Sequence, residues 1–291
     1  MSEIIARLFV FLQKVLPKHL LTLIVYRLAR VRITWIKNLL IRRFVDYYSV
    51  NLEEVSLRVP DEFESFNAFF VRELLNDARP IVGDTNAIVS PVDGTVSAAG
   101  TIDKDSIMQA KGIRYSLTDL LATDTDEAET FVDGAYATFY LAPYNYHRVH
   151  APLAGELVAA RYVPGDLFSV DQTTVAKLPG LFVRNERLIC RIKTGMGPMM
   201  LIFVGAMNVG SISTIWSGEL RPRKSGVVER IDIRSVDCDL QFQKGDMLGW
   251  FNMGSTVILL HPPAATDGFA GLTGGRQIKV GQVIGRTRSI P

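Results

Sequence analysis

Along the first fifty residues apolar positions recur with a helical period. From Ile4 to Leu16 the residues Ile4, Ile5, Leu8, Phe9, Phe11, Leu12, Val15 and Leu16 follow at three- and four-residue steps, with Arg7 and Lys14 seven apart on one stripe. The pattern predicts an amphipathic helix stopped at Pro17. A second helix is predicted from Leu20, Leu21, Leu23, Ile24, Val25, Tyr26 and Leu28, opposite a polar stripe of Arg27, Arg30, Thr34 and Lys37. It is expected to run on through Trp35, Leu39, Leu40 and Ile41 to Arg42 and Arg43. Residues 51–80 read as a short helical connection whose Phe63, Phe66, Phe69 and Phe70 belong to the core.

From Ile81 the texture changes to short β-like runs between glycine turns: Ile88-Val89, Thr95-Val96, 137–141, 155–159, 188–192, 199–204, 211–215, 227–233 and 257–260. A short helix is expected within Lys111 to Leu121. The predicted fold class is α+β, mostly β. Residues 1–60 form a basic amphipathic helical segment and residues 61–291 a β-rich domain.

Charge changes the reading of the helices. The chain of 291 residues carries +2 overall, which gives no reason to expect a nucleic-acid partner, yet residues 1–50 carry nine basic side chains against Glu3 and Asp46. That segment is +7 and the remainder −5. Arginine or lysine interrupts every apolar run well short of the roughly 18 uncharged residues a membrane span requires. The segment is therefore expected to lie on an anionic bilayer surface, with a helical hairpin packed on protein as the alternative. No secretory signal is expected at the start, and two cysteines, Cys190 and Cys238, suit a reducing compartment better than a disulfide scaffold.

An apolar strand follows a small turn at four places, Ser90 to Val96, Ala151 to Val158, Lys244 to Gly249 and Lys279 to Gly285, as in the half-barrel pieces of lipoyl-type hybrid barrels. The β body is therefore expected to be hybrid-barrel-like. Fold likeness does not fix function. A membrane-tethered adaptor would need no more than this.

The candidate chemistry is sparse. His147 and His150, in Tyr146-His147-Arg148-Val149-His150, could be a general acid and base, a structural pair or, less readily, zinc ligands of a hydrolase, since no third ligand lies near in sequence. Asp93, in Pro91-Val92-Asp93-Gly94, suits a turn, but aspartate, histidine and serine on separate turns also suffice for a triad. Met253-Gly254-Ser255-Thr256 places a hydroxyl after a glycine carbonyl that no side chain obstructs, although Gly-Ser is also a common turn pair.

Taken with Phe66-Asn67-Ala68-Phe69-Phe70-Val71-Arg72, Ser90 to Gly94, Lys111-Gly112 and Leu181 to Arg187, these stretches resemble the pyruvoyl-dependent bacterial phosphatidylserine decarboxylases over nearly the whole chain. The family pattern has leucine where this chain has Met253, a swap of similar volume. The resemblance implies that Ser255, deprotonated by His150 with Asp93 orienting the ring, attacks Gly254. The chain would break there, and dehydroalanine at position 255 would hydrolyse to a pyruvoyl cofactor. The implied products are chains of 254 and 37 residues that stay associated. The pyruvoyl would form a Schiff base with phosphatidylserine, and His147 would donate the proton that replaces carbon dioxide. The resemblance further implies a homodimer, peripheral on the cytoplasmic face of the cell membrane.

Overall fold

A computed structural model describes residues 3–123, 125–208, 210–233, 239–263, 265–266, 268–269 and 271–288; Cys238 lies outside them. The N-terminal segment folds as α1 (Glu3–Val15), α2 (Lys18–Ala29) and α3 (Thr34–Tyr48), followed by the short α4 (Phe66–Phe70). The long second helix predicted from the sequence is two helices. The first ends where the Arg30 amide turns back to the carbonyls of Arg27 and Leu28, and the β-branched Val31, Ile33 and Thr34 disfavour its continuation.

Each helix sends a few residues inward. α1 buries Ala6, Val10 and Gln13; the Gln13 amide accepts from the Ser169 N–H (2.9 Å) and donates to the Thr174 hydroxyl (3.1 Å). Two lysines expected on the basic surface are instead buried. Lys18 pairs with Asp166 (3.1 Å), and Lys37 donates to the Pro60 carbonyl (3.1 Å). The four expected core phenylalanines are buried, and Phe44 of α3 packs against Phe66 (5.1 Å between ring centres), Phe69 and Phe70.

The body is built of β1 (Ala87–Val89), β2 (Gly94–Thr101), β3 (Ser106–Ala110), β4 (Ile113–Ser116), β5 (Ala135–Leu141), β6 (Arg148–His150), β7 (Gly155–Val163), β8 (Arg187–Thr194) and β9 (Gly197–Val204). There follow β10 (Ile212–Thr214), β11 (Gly218–Leu220), β12 (Glu229–Ile231), β13 (Gln241–Phe242), β14 (Met247–Phe251), β15 (Ser255–His261), β16 (Gln277–Ile278) and β17 (Val283–Arg286). Four short helices intervene: α5 (Leu117–Leu121), α6 (Thr125–Glu129), α7 (Gln172–Val175) and α8 (Leu181–Arg184). The short helix expected within Lys111 to Leu121 is α5, at Leu117–Leu121, and it follows the β3–β4 hairpin.

The fold is thus α+β and mostly β, as expected, but among the described residues no barrel closes. The main sheet runs β12-β7-β8-β9-β15-β5-β2-β16, with β13 also on β7, and its outer strands β12, β13 and β16 are only two or three residues long. Edges so short offer no ladder on which the sheet could close. The four echoed turns nevertheless meet one another. Val89 N–H donates to Pro152 (3.1 Å), Ser90 N–H to Gln282 (2.8 Å) and Gly245 N–H to Ala151 (2.8 Å).

A second sheet, β11-β10-β14-β6, lies beside the first. Two of the chain's crossings between the sheets run from β5 to β6 and from β14 to β15. Both crossings join the same pairs of neighbours, because β5 pairs with β15 and β6 with β14. Residues 142–147 and 252–254 are therefore forced to run side by side.

Candidate active site

Ser255 opens β15 opposite Leu141, the last residue of β5, and the Phe251 N–H donates to the His147 carbonyl (3.1 Å). The pairings on either side thus place Gly254-Ser255 against the crossing that ends in His147. Ser255 is wholly buried and its hydroxyl has no hydrogen-bond partner among the described residues. Leaving such a group unmade costs about 1–3 kcal/mol, so this serine does not serve stability. Gly254 is not demanded by the backbone either: its φ is not positive, and an added Cβ would meet only the Leu141 carbonyl oxygen at 3.7 Å, an ordinary contact. A cavity of about 350 Å³, lined by Phe44, Tyr48, Phe70, Leu141, Met253 and Gly254, reaches this bond.

His147 is fully buried, stacked on Phe70 with ring centres 4.2 Å apart. Its Nε2 faces the Ala142 carbonyl at 3.1 Å, and because a carbonyl only accepts, Nε2 carries the proton and Nδ1 the lone pair. That Nδ1 has no partner among the described residues. Burial, helped by the nearby Arg72 cation, lowers its pKa to about 3, so the ring is neutral at pH 7. Arg72 itself is buried, donating to the Tyr144 carbonyl (3.0 Å), and burial brings its pKa down to about 10.

His150, at the end of β6, is held on three sides. Its N–H donates to the Pro91 carbonyl (2.8 Å), its Nδ1–H to the Gly245 carbonyl (2.8 Å), and its Nε2 accepts from the Tyr146 hydroxyl (3.0 Å). Burial lowers its pKa, so it too offers a lone pair near neutrality.

Asp93 does not make the expected hydrogen bond to His150; the Gly245 carbonyl takes that place. Its carboxylate receives Arg79 through Nε (2.9 Å) and Nη2 (2.6 Å), and the Val280 N–H (2.8 Å). It acts on His150 through charge alone, favouring protonation. Arg79 continues to Glu54 (2.9 Å), which also pairs with Lys279 (3.0 Å). Sequence reasoning missed Arg79, which stands in no patterned stretch. It passed over Tyr146 and Gly245 although both lie in motifs it quoted. Among the described residues no group of three metal-ligating side chains is gathered in one place, and the two histidine rings are engaged with different partners.

Comparison with known proteins bears on this arrangement. A family model described as phosphatidylserine decarboxylase matches residues 66–286, and another described as PSD matches residues 8–49. Among curated proteins, the phosphatidylserine decarboxylase proenzyme of Methylococcus capsulatus is 43% identical over 288 residues, covering 99% of each chain. That of Saccharophagus degradans is 43% identical over 277 residues, 95% of this chain and 96% of the relative. That of Alcanivorax borkumensis is 45% identical over 275 residues, 94% of each.

Proposed function

The chain belongs to the phosphatidylserine decarboxylase family and converts phosphatidylserine to phosphatidylethanolamine and carbon dioxide; from this premise we propose that it first cuts itself between Gly254 and Ser255, leaving a pyruvoyl group at position 255. The adaptor and zinc-hydrolase alternatives fall with that membership. The proenzyme names of the relatives support a maturation step. So does the one observation that carries the proposal: a buried hydroxyl with no structural employment, directly after a glycine the fold does not require, beside the His147 crossing.

In maturation, Ser255 Oγ attacks the Gly254 carbonyl carbon while its proton passes to His150 Nε2, the lone pair that the Tyr146 hydroxyl now occupies. The C–N bond breaks, the acyl group moves to oxygen, and residue 255 gains a free amine. Loss of the α-proton of residue 255 then expels the Gly254 carboxylate, and water replaces the nitrogen as ammonia. Asp93 contributes its negative charge, which stabilises the imidazolium formed on His150.

In turnover, the pyruvoyl group supplies a ketone that engages the serine amine and an adjoining amide carbonyl that draws off the electrons released with carbon dioxide. The neutral His147 can take on Nδ1 the proton that the serine ammonium must lose, and return it to the carbon that carried the carboxylate. Phe70 and the burial of the ring exclude water from that transfer.

The N-terminal helices bring the lipid. Among the described residues, 16 of the 27 large apolar side chains exposed to solvent lie between Ile4 and Tyr47, together with exposed Arg7, Arg32 and Arg42. No single helix is long and apolar enough to cross a membrane. The segment instead rests in the interface of an anionic membrane, on the cytoplasmic face. An apolar groove of about 620 Å³ between α2 and α3 shares Phe44, Tyr48 and Met253 with the cavity at Gly254, and is the path by which acyl chains stay in lipid while the head group reaches position 255. The test is carbon dioxide release from phosphatidylserine in mixed micelles. Ser255→Ala is expected to release none; retained activity in that variant would overturn the proposal.

A further inference from the structure

The residue two positions before the scissile bond is clamped between the β body and α4. Asn252 is 3% exposed, and both ends of its amide are spent. Its Oδ1 accepts from Asn67 Nδ2 of α4 (3.0 Å), and its Nδ2 donates to the hydroxyls of Ser211 (2.8 Å) and Ser213 (2.9 Å). Its backbone N–H donates to the Ser211 carbonyl (3.0 Å). Ser211 Oγ in turn donates to Glu219 Oε1 (2.6 Å), and Glu219 receives Arg30 Nη2 (2.7 Å) and the Tyr26 hydroxyl (3.0 Å), both from α2. Met253 packs into the aromatic cluster of α3 and α4. Asn252 is thus held jointly by Ser211 and Ser213 and by Asn67 of α4, 185 residues away in sequence, with α2 joined to it through Glu219 and Ser211, while Met253 is held by α3 and α4.

We propose that Asn252 is a positioning residue for self-cleavage, and that through Asn67 and the Ser211–Glu219 link it makes cleavage depend on the seating of α2 and α4 against the body. The helices then serve as more than a membrane anchor: a chain whose N-terminal segment has not docked keeps its Gly254-Ser255 turn loose and remains uncut. A hydroxyl attacking its own neighbouring carbonyl is sensitive to displacements near 1 Å, which a loosened turn readily supplies. After cleavage the same clamp retains the new carboxylate end at Gly254 beside position 255.

The inference rests on cleavage at 254/255, and the experiment separates the two. Full-length protein is made by short cell-free synthesis, and the appearance of the 37-residue chain is followed by mass spectrometry across pH, alongside thermal unfolding. If the wild type never yields that chain, the proposed function fails. If it does, Asn252→Ala is expected to slow cleavage by about tenfold or more with the inflection of its pH profile unmoved, since the base is untouched. Asn67→Ala is expected to slow it several-fold in the wild type but add nothing in the Asn252→Ala background, a non-additivity that general destabilisation would not produce. Glu219→Gln, at the partly exposed far end, is expected to slow it about two- to fivefold. Wild-type cleavage in folded Asn252→Ala overturns the positioning role. If that variant does not fold, additive or absent effects of Asn67→Ala and Glu219→Gln overturn the proposal instead.

Discussion

Asp93→Asn separates charge from shape at the site. Asp93 is buried, and Arg79, whose side chain is 11% exposed, donates to it through both Nε and Nη2 while sharing Glu54. Asparagine fits the same space but turns an NH₂ toward the guanidinium, donor against donor, and leaves a largely buried cation with one anionic partner. Breaking a buried pair by removing one member typically costs about 3–5 kcal/mol; Glu54 remains, so about 3 kcal/mol is expected. At roughly 2–4 °C per kcal/mol for chains of this size, the unfolding temperature should fall by about 6–12 °C. Cleavage should also slow, because His150 loses the charge that favours its imidazolium. Arg79→Met breaks the same pair yet leaves that charge in place, so it should be destabilised similarly while still cutting. Calorimetry with gel analysis of the same samples reads both. An Asp93→Asn protein melting within about 2 °C of wild type, or a folded Arg79→Met protein that fails to cut, would refute the reasoning.

Buried titrating groups set opposite pH slopes on stability. His147 and His261 are neutral when folded, with pKa values lowered by burial to about 3 and about 4, so below pH 6.5 the unfolded chain binds protons the folded one does not. Together they should remove about 3 kcal/mol at pH 5.5. Glu186, raised by burial to about 7, has the reverse sign and weakens the fold as pH climbs from 4.5 toward 7. Urea midpoints from pH 5 to 7 should therefore rise less steeply in His261→Phe and more steeply in Glu186→Gln than in wild type; equal slopes would contradict the assignment. Gly254→Ala should fold normally and cut slowly, whereas at Gly94 an added Cβ would run into the Tyr140 carbonyl, so Gly94→Ala should melt well below wild type before any question of cutting arises. Melting curves and chain analysis distinguish them. His147→Ala should still cut but decarboxylate about 10² to 10⁴ times more slowly, measured per cleaved chain; failure to cut would reverse the division of labour with His150.

Much of the site was legible because its residues sit in local patterns. The Gly254-Ser255 pair, the Tyr146 to His150 run and the Asp93 turn are each read from a few neighbouring letters, and the echoed turn that carries Asp93 does pack against His150 and the turn that follows it. What could not be read was long-range. Nothing near Asp93 announces Arg79, fourteen residues earlier, and nothing near His150 says that a carbonyl at Gly245 will occupy its Nδ1. The helical period likewise could not foresee that Lys18 and Lys37 would be drawn inward by Asp166 and the Pro60 carbonyl, nor that Val31 to Thr34 would break the second helix. Whether a β sheet closes depends on the length and pairing of its edge strands, which a count of turns does not give.

Intact-mass analysis of the purified full-length chain tests the central claim most directly. The account predicts two species that comigrate until denatured, residues 1–254 ending in a free carboxylate and a 37-residue chain whose blocked first residue reacts with carbonyl reagents, with Ser255→Ala giving one uncut chain of 32.3 kDa. A wild-type chain that decarboxylates phosphatidylserine while remaining whole at 32.3 kDa, and inert to those reagents, would contradict it.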